Sequence, residues 1–333
     1  MQSGIRFAGK CFSLALRTTD ARSWNNGWQP LTTPRLFDRE LLNRRRDRAA
    51  LSGALPDFLL RRAADDMADR LAGVERSFAR ILSLGAHHGL LADRLSETHR
   101  SADLVVNMEA SAPLLARCKP PKLRGDDELL PFRDGAFDLI ASALSLQFVN
   151  DLPGTLVQIR RALKPDGLFL GAVLGGATLQ ELRQAFTEAE LELEGGVSPR
   201  VAPMADLRDF GALLQRAGLA LPVADTDIVT VTYTSPLALM LELRAMGAGN
   251  VLTERRKRPL RKATLARAIE LYHAHFGAGQ GRVRATFEII HLAGWAPHES
   301  QQKPLRPGSA KARLADALKV QELPINTPRE DDG

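Results

Sequence analysis

The chain has 333 residues, 44% of them hydrophobic and 25% charged, ordinary values for a globular protein with one large core and room for an appendage. No uninterrupted apolar run reaches the roughly 20 residues that span a bilayer, which excludes a transmembrane helix. The net charge of +6 comes largely from local arginine runs, "NRRRDR" at 43–48 and "ERRKRPLRK" at 254–262. Both read as solvated helical faces, and with only 5% aromatic residues there are few platforms for stacking bases, so nucleic acid is not an expected partner.

Cys11 and Cys118 are the only cysteines. Neither has a CxxC partner, so a disulfide framework and a cysteine metal site lack support, and a reducing compartment is expected. Residues 1–34 carry Arg6, Lys10, Arg17 and Arg22 against the single acid Asp20. They read as a flexible arm, which is either a mitochondrial targeting segment or an over-extended start. The arginine-, alanine- and leucine-rich, lysine-poor style of the chain suits a bacterial protein and favours the second reading.

Between Phe37 and about Leu71 the apolar residues recur at three- and four-residue spacings, broken near Gly53 and Pro56. Two helices are therefore expected ahead of the first strand, a cap over 35–75. An alternation follows. "RILSL" (80–84), "DLVVN" (103–107), "FDLIASAL" (137–144) and "GLFLGAVLG" (167–175) read as strands. "LLADRL" (90–95), "APLLARC" (112–118) and "LPGTLVQIRRALKP" (152–165) read as helices between them. Strands alternating with helices imply βαβ units and a parallel, doubly wound α/β sheet whose ligands sit at the carboxyl ends of its strands.

A strand before Asp126 is required by this topology, although "KPPKLRG" offers only Leu123 as an apolar residue. Helical inserts are expected near 177–220, interrupted by "EGGVSPRVAP", and near 236–276. Strands are expected at "DIVTVTY" (227–233) and "RATFEIIHLAGW" (284–295). The sheet-bearing domain thus spans 76–300, and 301–333, rich in proline and charge, reads as a loose tail.

"LSLGAHHGLL" is a strand, a turn bracketed by Gly85 and Gly89, and a helix start. A helix N-terminus offers unpaired N–H groups to a carboxylate or phosphate, and the glycines let the backbone approach it closely. Glu109 closes the second strand, where a carboxylate accepts both hydroxyls of a ribose. Asp126, Asp127 and Glu128 stand where the third strand should end, one of them placed to accept from an adenine amine. The bland alternative is a sheet whose glycines serve only turns and whose acids serve only as helix caps.

The doublet His87 and His88 invites a metal or general-base reading. Adjacent turn residues rarely point the same way and no HxD or HExxH spacing accompanies them, so packing or hydrogen bonding is expected and no metal site is. His273 and His275 read as surface residues. "HESQ" at 298–301 suits either an active-site rim or an ordinary polar loop.

The ordered set of turn, acid, acid and "FDLIAS" strand resembles the class I S-adenosylmethionine-dependent methyltransferases, in the branch of the biotin-synthesis malonyl carrier-protein enzymes. "LFDRELL", "LSLQFVNDLP", "GGATLQELR", "EGGVSPRVAPMADLRDFGALLQRAGL", "DTDIVTVTY" and "GWAPHESQQKPLRPGSA" together resemble the mitochondrial complex I assembly factor 5 family and its alphaproteobacterial relatives, over about residues 36–311. The resemblance implies a Rossmann-like sheet of seven strands and S-adenosylmethionine as cofactor. It also implies a protein substrate, an iron–sulfur subunit of respiratory complex I. The compartment would be the cytoplasm in a bacterium, or the mitochondrial matrix or the inner-membrane face, with peripheral attachment.

Carried onto this sequence, the cofactor loop falls on Ser83, Gly85, His87 and Gly89, with Glu109 at the ribose and Asp126 and Asp127 at the adenine. The superfamily usually has an acid where Ser83 stands and a glycine where His87 stands. Serine supplies no charge to the ligand's ammonium, and histidine adds a Cβ where φ > 0 is needed. Gln147, near the implied sulfonium, and Asn150 and Asp151, after the fourth strand, are the catalytic candidates. Asp151 serves equally as a helix N-cap. Three functions stay open: methyl transfer, the arginine hydroxylation associated with the family's mitochondrial member, and a non-catalytic assembly role with a degenerate cofactor loop.

Overall fold

The computed structural model describes residues 5–7, 10–12, 35–53, 55–98 and 102–302. Most of the expected arm and tail, Cys11 apart, lie outside these residues, and the compact unit that holds the sheet ends at Pro297. Residues 5–7 and 10–12 pair as a short antiparallel ribbon.

Asp38 starts the first helix, α1 (Arg39–Leu51), by accepting the N–H of Leu41 at 2.9 Å, which satisfies one of the orphan donors of a helix start. Helix α2 (Phe58–Ala72) buries Leu59, Leu60, Ala63, Ala64, Met67 and Leu71, a stripe at three- and four-residue spacing. Met67 and Leu71 are almost wholly enclosed, each worth roughly 1.5–3 kcal/mol in burial. The break falls at Gly53 and Pro56, as the spacing predicts.

The sheet alternates with helices in chain order: β1 (Arg80–Leu84), α3 (Leu90–Thr98), β2 (Leu104–Glu109), α4 (Ala112–Arg117), β3 (Lys122–Arg124), β4 (Phe137–Ala143), α5 (Leu152–Ala162) and β5 (Leu163–Leu174). Then come α6 (Gln180–Glu194), α7 (Leu207–Arg216), β6 (Ala220–Tyr233), α8 (Pro236–Ala245), α9 (Lys262–Phe276) and β7 (Val283–Trp295). The seven strands lie in the order β3-β2-β1-β4-β5-β7-β6. The first five are mutually parallel and β7 runs antiparallel to both neighbours. This is the doubly wound class I methyltransferase sheet that the alternation and the resemblance predict.

Side chains alternate across the sheet as a two-residue period requires. Ile81, Leu139, Ala141, Leu168 and Leu170 join one core with α2, α3, α6 and α9. Leu82, Leu84, Ile140, Phe169 and Val173 join the other with α5 and α7. The central strands are buried on both faces, which is why they read as mainly apolar rather than alternating runs.

Several element boundaries depart from expectation, β5 for one beginning at Leu163 rather than Gly167, and three have a plain local cause. Helix α5 stops at Ala162 rather than Pro165, because Leu163 already has extended backbone, and a proline cannot continue the helix. The fourth strand ends at Ala143 because Leu144 turns to φ +51°. Strand β6 begins at Ala220, seven residues ahead of the predicted start; its register shifts between Ala220 and Val223, around Pro222, before pairing continuously with β7.

Candidate functional site

Strand order reverses at β1 and β4, so the chain leaves a crevice beyond their carboxyl ends, the standard ligand position of an open α/β sheet. The turn after β1 is built as the glycine pattern predicts. Gly85, His87 and Gly89 have φ of +63°, +50° and +93°, so the histidine adopts the left-handed backbone a glycine would supply more cheaply. A Cβ on Gly85 would come within 2.3 Å of the Ser145 side chain, and one on Gly89 within 3.3 Å of Cys118 Cα. Both glycines are thus required by close approach as well as by φ.

Glu109, at the end of β2, is fully buried. One carboxylate oxygen accepts the His87 N–H at 2.8 Å and the other accepts the Ser111 N–H at 2.9 Å. Arg46 of α1, itself buried, stands 4.0 Å from the second oxygen with its guanidinium 5.7 Å from the Phe148 ring centroid. Two further residues of α1 reach the cleft. Asp47 accepts the Ser111 hydroxyl at 2.5 Å, and Arg39 pairs with Asp126 at 2.7 Å. The helical cap is therefore clasped to the strand ends by polar contacts.

The two acids after β3 separate. Asp126 is exposed on Arg39, whereas Asp127 is buried and accepts the Ser145 hydroxyl at 2.5 Å. Burial raises the Asp127 carboxyl above its ordinary range, the Ser145 hydrogen bond pulling the other way. Its second oxygen has no partner, and neither do Ser83 Oγ and Gln147 Oε1. Buried polar atoms left unpaired are rare and call for an explanation, such as a ligand that completes them.

His87 and His88 take different partners, although both line one small cavity. His87 Nε2 lies 3.1 Å from the carbonyl of Ala143. A carbonyl only accepts, so this nitrogen carries the proton. Burial, reinforced by Arg46 and His88, pushes the ring down to about 3, so it is neutral at physiological pH. His88 Nε2 faces Asp57 at 3.4 Å. The Cys118 thiol donates toward the His87 carbonyl and burial pushes it up to about 11, which makes it a packing group rather than a nucleophile. No group of three His, Cys, Asp or Glu suited to a metal occurs among the described residues.

The catalytic candidates end in different places. Gln147 donates to the Leu144 carbonyl and lines a cavity of about 100 Å3 with His87, His88 and Asp57. Asn150 spends both ends of its amide on the Phe37 backbone, accepting from the N–H at 2.8 Å and donating to the carbonyl at 3.2 Å. Asp151 is exposed and accepts the Gly154 N–H as N-cap of α5. The sheet thus brings Ser83, Gly85, His87, Gly89, Glu109, Asp127 and Gln147 together, puts Asp126 at the rim under Arg39, and leaves Asn150 and Asp151 outside. His273 and His275 are exposed. His298 of "HESQ" accepts the Ser300 N–H beyond the sheet-bearing unit.

Arg46 and Asp57 are site residues that motif reading did not single out. Arg46 had a signal: it follows Leu42 by four and precedes Ala49 and Ala50, so it stands in the buried stripe of α1, where a charge needs a partner.

Comparison with known proteins agrees with this fold. Residues 82–171 match the family described as "Methyltransferase domain", a domain class whose cofactor is S-adenosylmethionine. "Arginine-hydroxylase NDUFAF5, mitochondrial" of Danio rerio is 38% identical over 86% of this chain and 91% of its own. The human protein of the same name is 37% identical over 88% of this chain and 87% of its own. A malonyl-[acyl-carrier protein] O-methyltransferase of Gallionella capsiferriformans is 31% identical over 79% of this chain and 92% of its own. Among solved structures, the YcgJ protein of Bacillus subtilis superposes with a TM-score of 0.50 at 15% identity, covering 70% of this chain and 99% of that one, a likeness of fold. On identity sustained across most of both chains, this protein, built on a class I methyltransferase sheet, belongs to the NDUFAF5 family.

Proposed function

We propose that this chain is an S-adenosylmethionine-binding enzyme that modifies an arginine side chain of a protein substrate, an iron–sulfur subunit of respiratory complex I, during its assembly. The observation that carries the reading is the fully buried carboxylate of Glu109 at the end of β2, which accepts the His87 N–H of the glycine turn, together with unpaired buried polar atoms on Ser83, Asp127 and Gln147. S-adenosylmethionine, when bound, supplies an electrophilic methyl group.

Each Glu109 oxygen accepts one backbone N–H and keeps a lone pair for a ribose hydroxyl. Asp127, with Asp126 at the rim, faces the adenine side. Gly85 and Gly89 let the turn approach the amino-acid end of the cofactor. Ser83 contributes one hydroxyl where a carboxylate would pair the ammonium by charge, so binding is weaker than in enzymes with an acid there. The donor set fits the cofactor, but Glu109 and Asp127 are buried, and the cavity of about 100 Å3 under α1 is lined by Arg46, Asp57, His87 and Gln147 and by neither acid. Binding therefore requires α1 to yield at its contacts to Glu109, Ser111 and Asp126.

Asp57 is the one carboxylate lining that cavity; it pairs with Arg61 on the surface at 2.9 Å, and a cationic arginine of the substrate would share or replace that partner. Two additions to the arginine follow from the relatives: a methyl group from the methyltransferase domain, or a hydroxyl from the name the NDUFAF5 proteins carry. Hydroxylation needs an oxidant from outside the chain. The substrate sets the compartment: the mitochondrial matrix or inner-membrane face, or the bacterial cytoplasm.

Mass spectrometry of the iron–sulfur subunit, from cells with and without this protein and from a Glu109→Ala strain, tests the reading. An arginine heavier by a methyl or by one oxygen only in the wild type supports it and identifies the chemistry. An unmodified arginine in the wild type refutes it and leaves a binding role.

A further inference from the structure

A second cavity, of about 540 Å3, adjoins the small one and shares Leu59, Phe148, Leu174, Met246 and Ala248 with it. Its floor is apolar, with Leu182, Phe186, Met240, Leu243 and Phe287. Its remaining chemistry is one-signed: Arg45, Arg200, Arg244, Arg255, Arg256 and Lys257 line it, and no carboxylate does. Three of these charges are already matched, Arg200 by Glu190, Arg255 by Asp38 and Arg256 by Glu194. Arg45, Arg244 and Lys257 form no ion pair among the described residues. Arg45 gives one N–H to the Asn250 carbonyl at 2.6 Å, and among the described residues no carboxylate pairs with it, Asp38 acting on it only through space.

A neighbouring pocket of about 600 Å3 repeats the pattern, with Arg45, Arg48 and Arg244 and no acid. Burial, then Arg255 and Arg48, lower the Arg45 guanidinium from its ordinary value. Like charges brought together at the mouth of an apolar space repel one another, and an anion relieves them. A cation is disfavoured for the same reason. The chain's own residues 1–34, with four basic residues and one acid, are a poor occupant.

We propose that this cavity binds a small anionic amphiphile, with a carboxylate or phosphate head at Arg45 and Arg244 and an apolar body on the Leu182, Phe186 and Phe287 floor. The volume lies within the range of ligand pockets that enclose a small molecule. The site needs neither Glu109 nor the cofactor loop, so it stands independently of the arginine-modifying reading.

Calorimetric titration of the full-length protein with dodecanoate and dodecyl phosphate below their micelle concentrations, dodecanol below its solubility limit, and inorganic phosphate tests the assignment. The two anionic amphiphiles are expected to bind at one site about tenfold or more tighter than dodecanol, the effect of one charge-assisted hydrogen bond, and tighter than inorganic phosphate. The stronger of the two identifies the head group. Arg45→Gln with Arg244→Gln should lose about that factor for the anions and leave dodecanol unchanged. Arg244→Gln alone, at an exposed residue without a partner, gives a folded control with part of the loss. Glu109→Ala should bind the amphiphiles as the wild type does, which separates this site from the cofactor cleft. Equal binding of dodecanol and dodecanoate, undiminished anion binding in the double variant, or no binding of either anion overturns the proposal.

Discussion

Protonation of His87 should make the fold acid-sensitive in a way one substitution removes. The ring is held neutral in the native state at about 3, against 6.5 for the free side chain. The unfolded chain therefore takes up the proton first. Stability is complete above about pH 6.5 and falls as pH drops toward about 3. At pH 5 the unfolded state gains about 1.5 pH units of proton affinity over the native one, close to 2 kcal/mol. His87→Gln keeps a neutral N–H donor for the Ala143 carbonyl and cannot titrate. Urea unfolding of both proteins at pH 7 and pH 5 isolates the effect, because all other titrations cancel in the difference. The wild type should lose about 2 kcal/mol more than the variant. An equal loss in both would show that the ring is not held neutral inside the cleft.

Three further outcomes follow. Gly85→Ala forces a Cβ into the Ser145 side chain at 2.3 Å and into a left-handed φ, so chemical denaturation should show a loss of about 3 kcal/mol. Asn150→Ala removes two hydrogen bonds to Phe37 and should cost about 1–3 kcal/mol of stability while leaving S-adenosylmethionine affinity unchanged; loss of affinity without loss of stability would place Asn150 back in the site. Asp57→Asn keeps the side chain's shape and removes the charge, so in a reconstituted assay it should raise KM for the protein substrate while cofactor affinity holds. An unaffected KM would remove Asp57 from substrate recognition.

The parallel core was legible because strands buried on both faces must be mainly apolar, as in Arg80–Leu84 and Phe137–Ala143, where the few polar residues are Arg80, Ser83, Asp138 and Ser142. Strand β3 was not, because a three-residue edge strand with only Leu123 partly buried carries no pattern to read. The first half of β6 was hidden for a related reason: Pro222 and the polar "ADTD" stretch interrupt the alternation on an exposed edge. In the site, glycines and acids at strand ends could be placed from spacing alone. Contacts made across the fold could not. Asn150 and Asp151 sit where substrate-contacting groups are expected, yet one ties down Phe37 and the other caps α5. The clasp of Arg39, Arg46 and Asp47 depends on where α1 docks, which the spacing of its own residues only hints at through the charge in its buried stripe. His87 reads as an obstacle in sequence, but the backbone bends to accommodate it and its ring finds the Ala143 carbonyl.

The central claim is that the cleft beyond β1, β2 and β4 holds S-adenosylmethionine through Glu109. Isothermal titration of the full-length protein with S-adenosylmethionine, alongside Glu109→Ala and Asn150→Ala, tests it most directly. The account predicts one site on the wild type, affinity retained by Asn150→Ala, and a loss of about tenfold or more in Glu109→Ala, whose two ribose hydrogen bonds to a charged acceptor are gone. No binding up to millimolar ligand, or unchanged binding in Glu109→Ala, would contradict it.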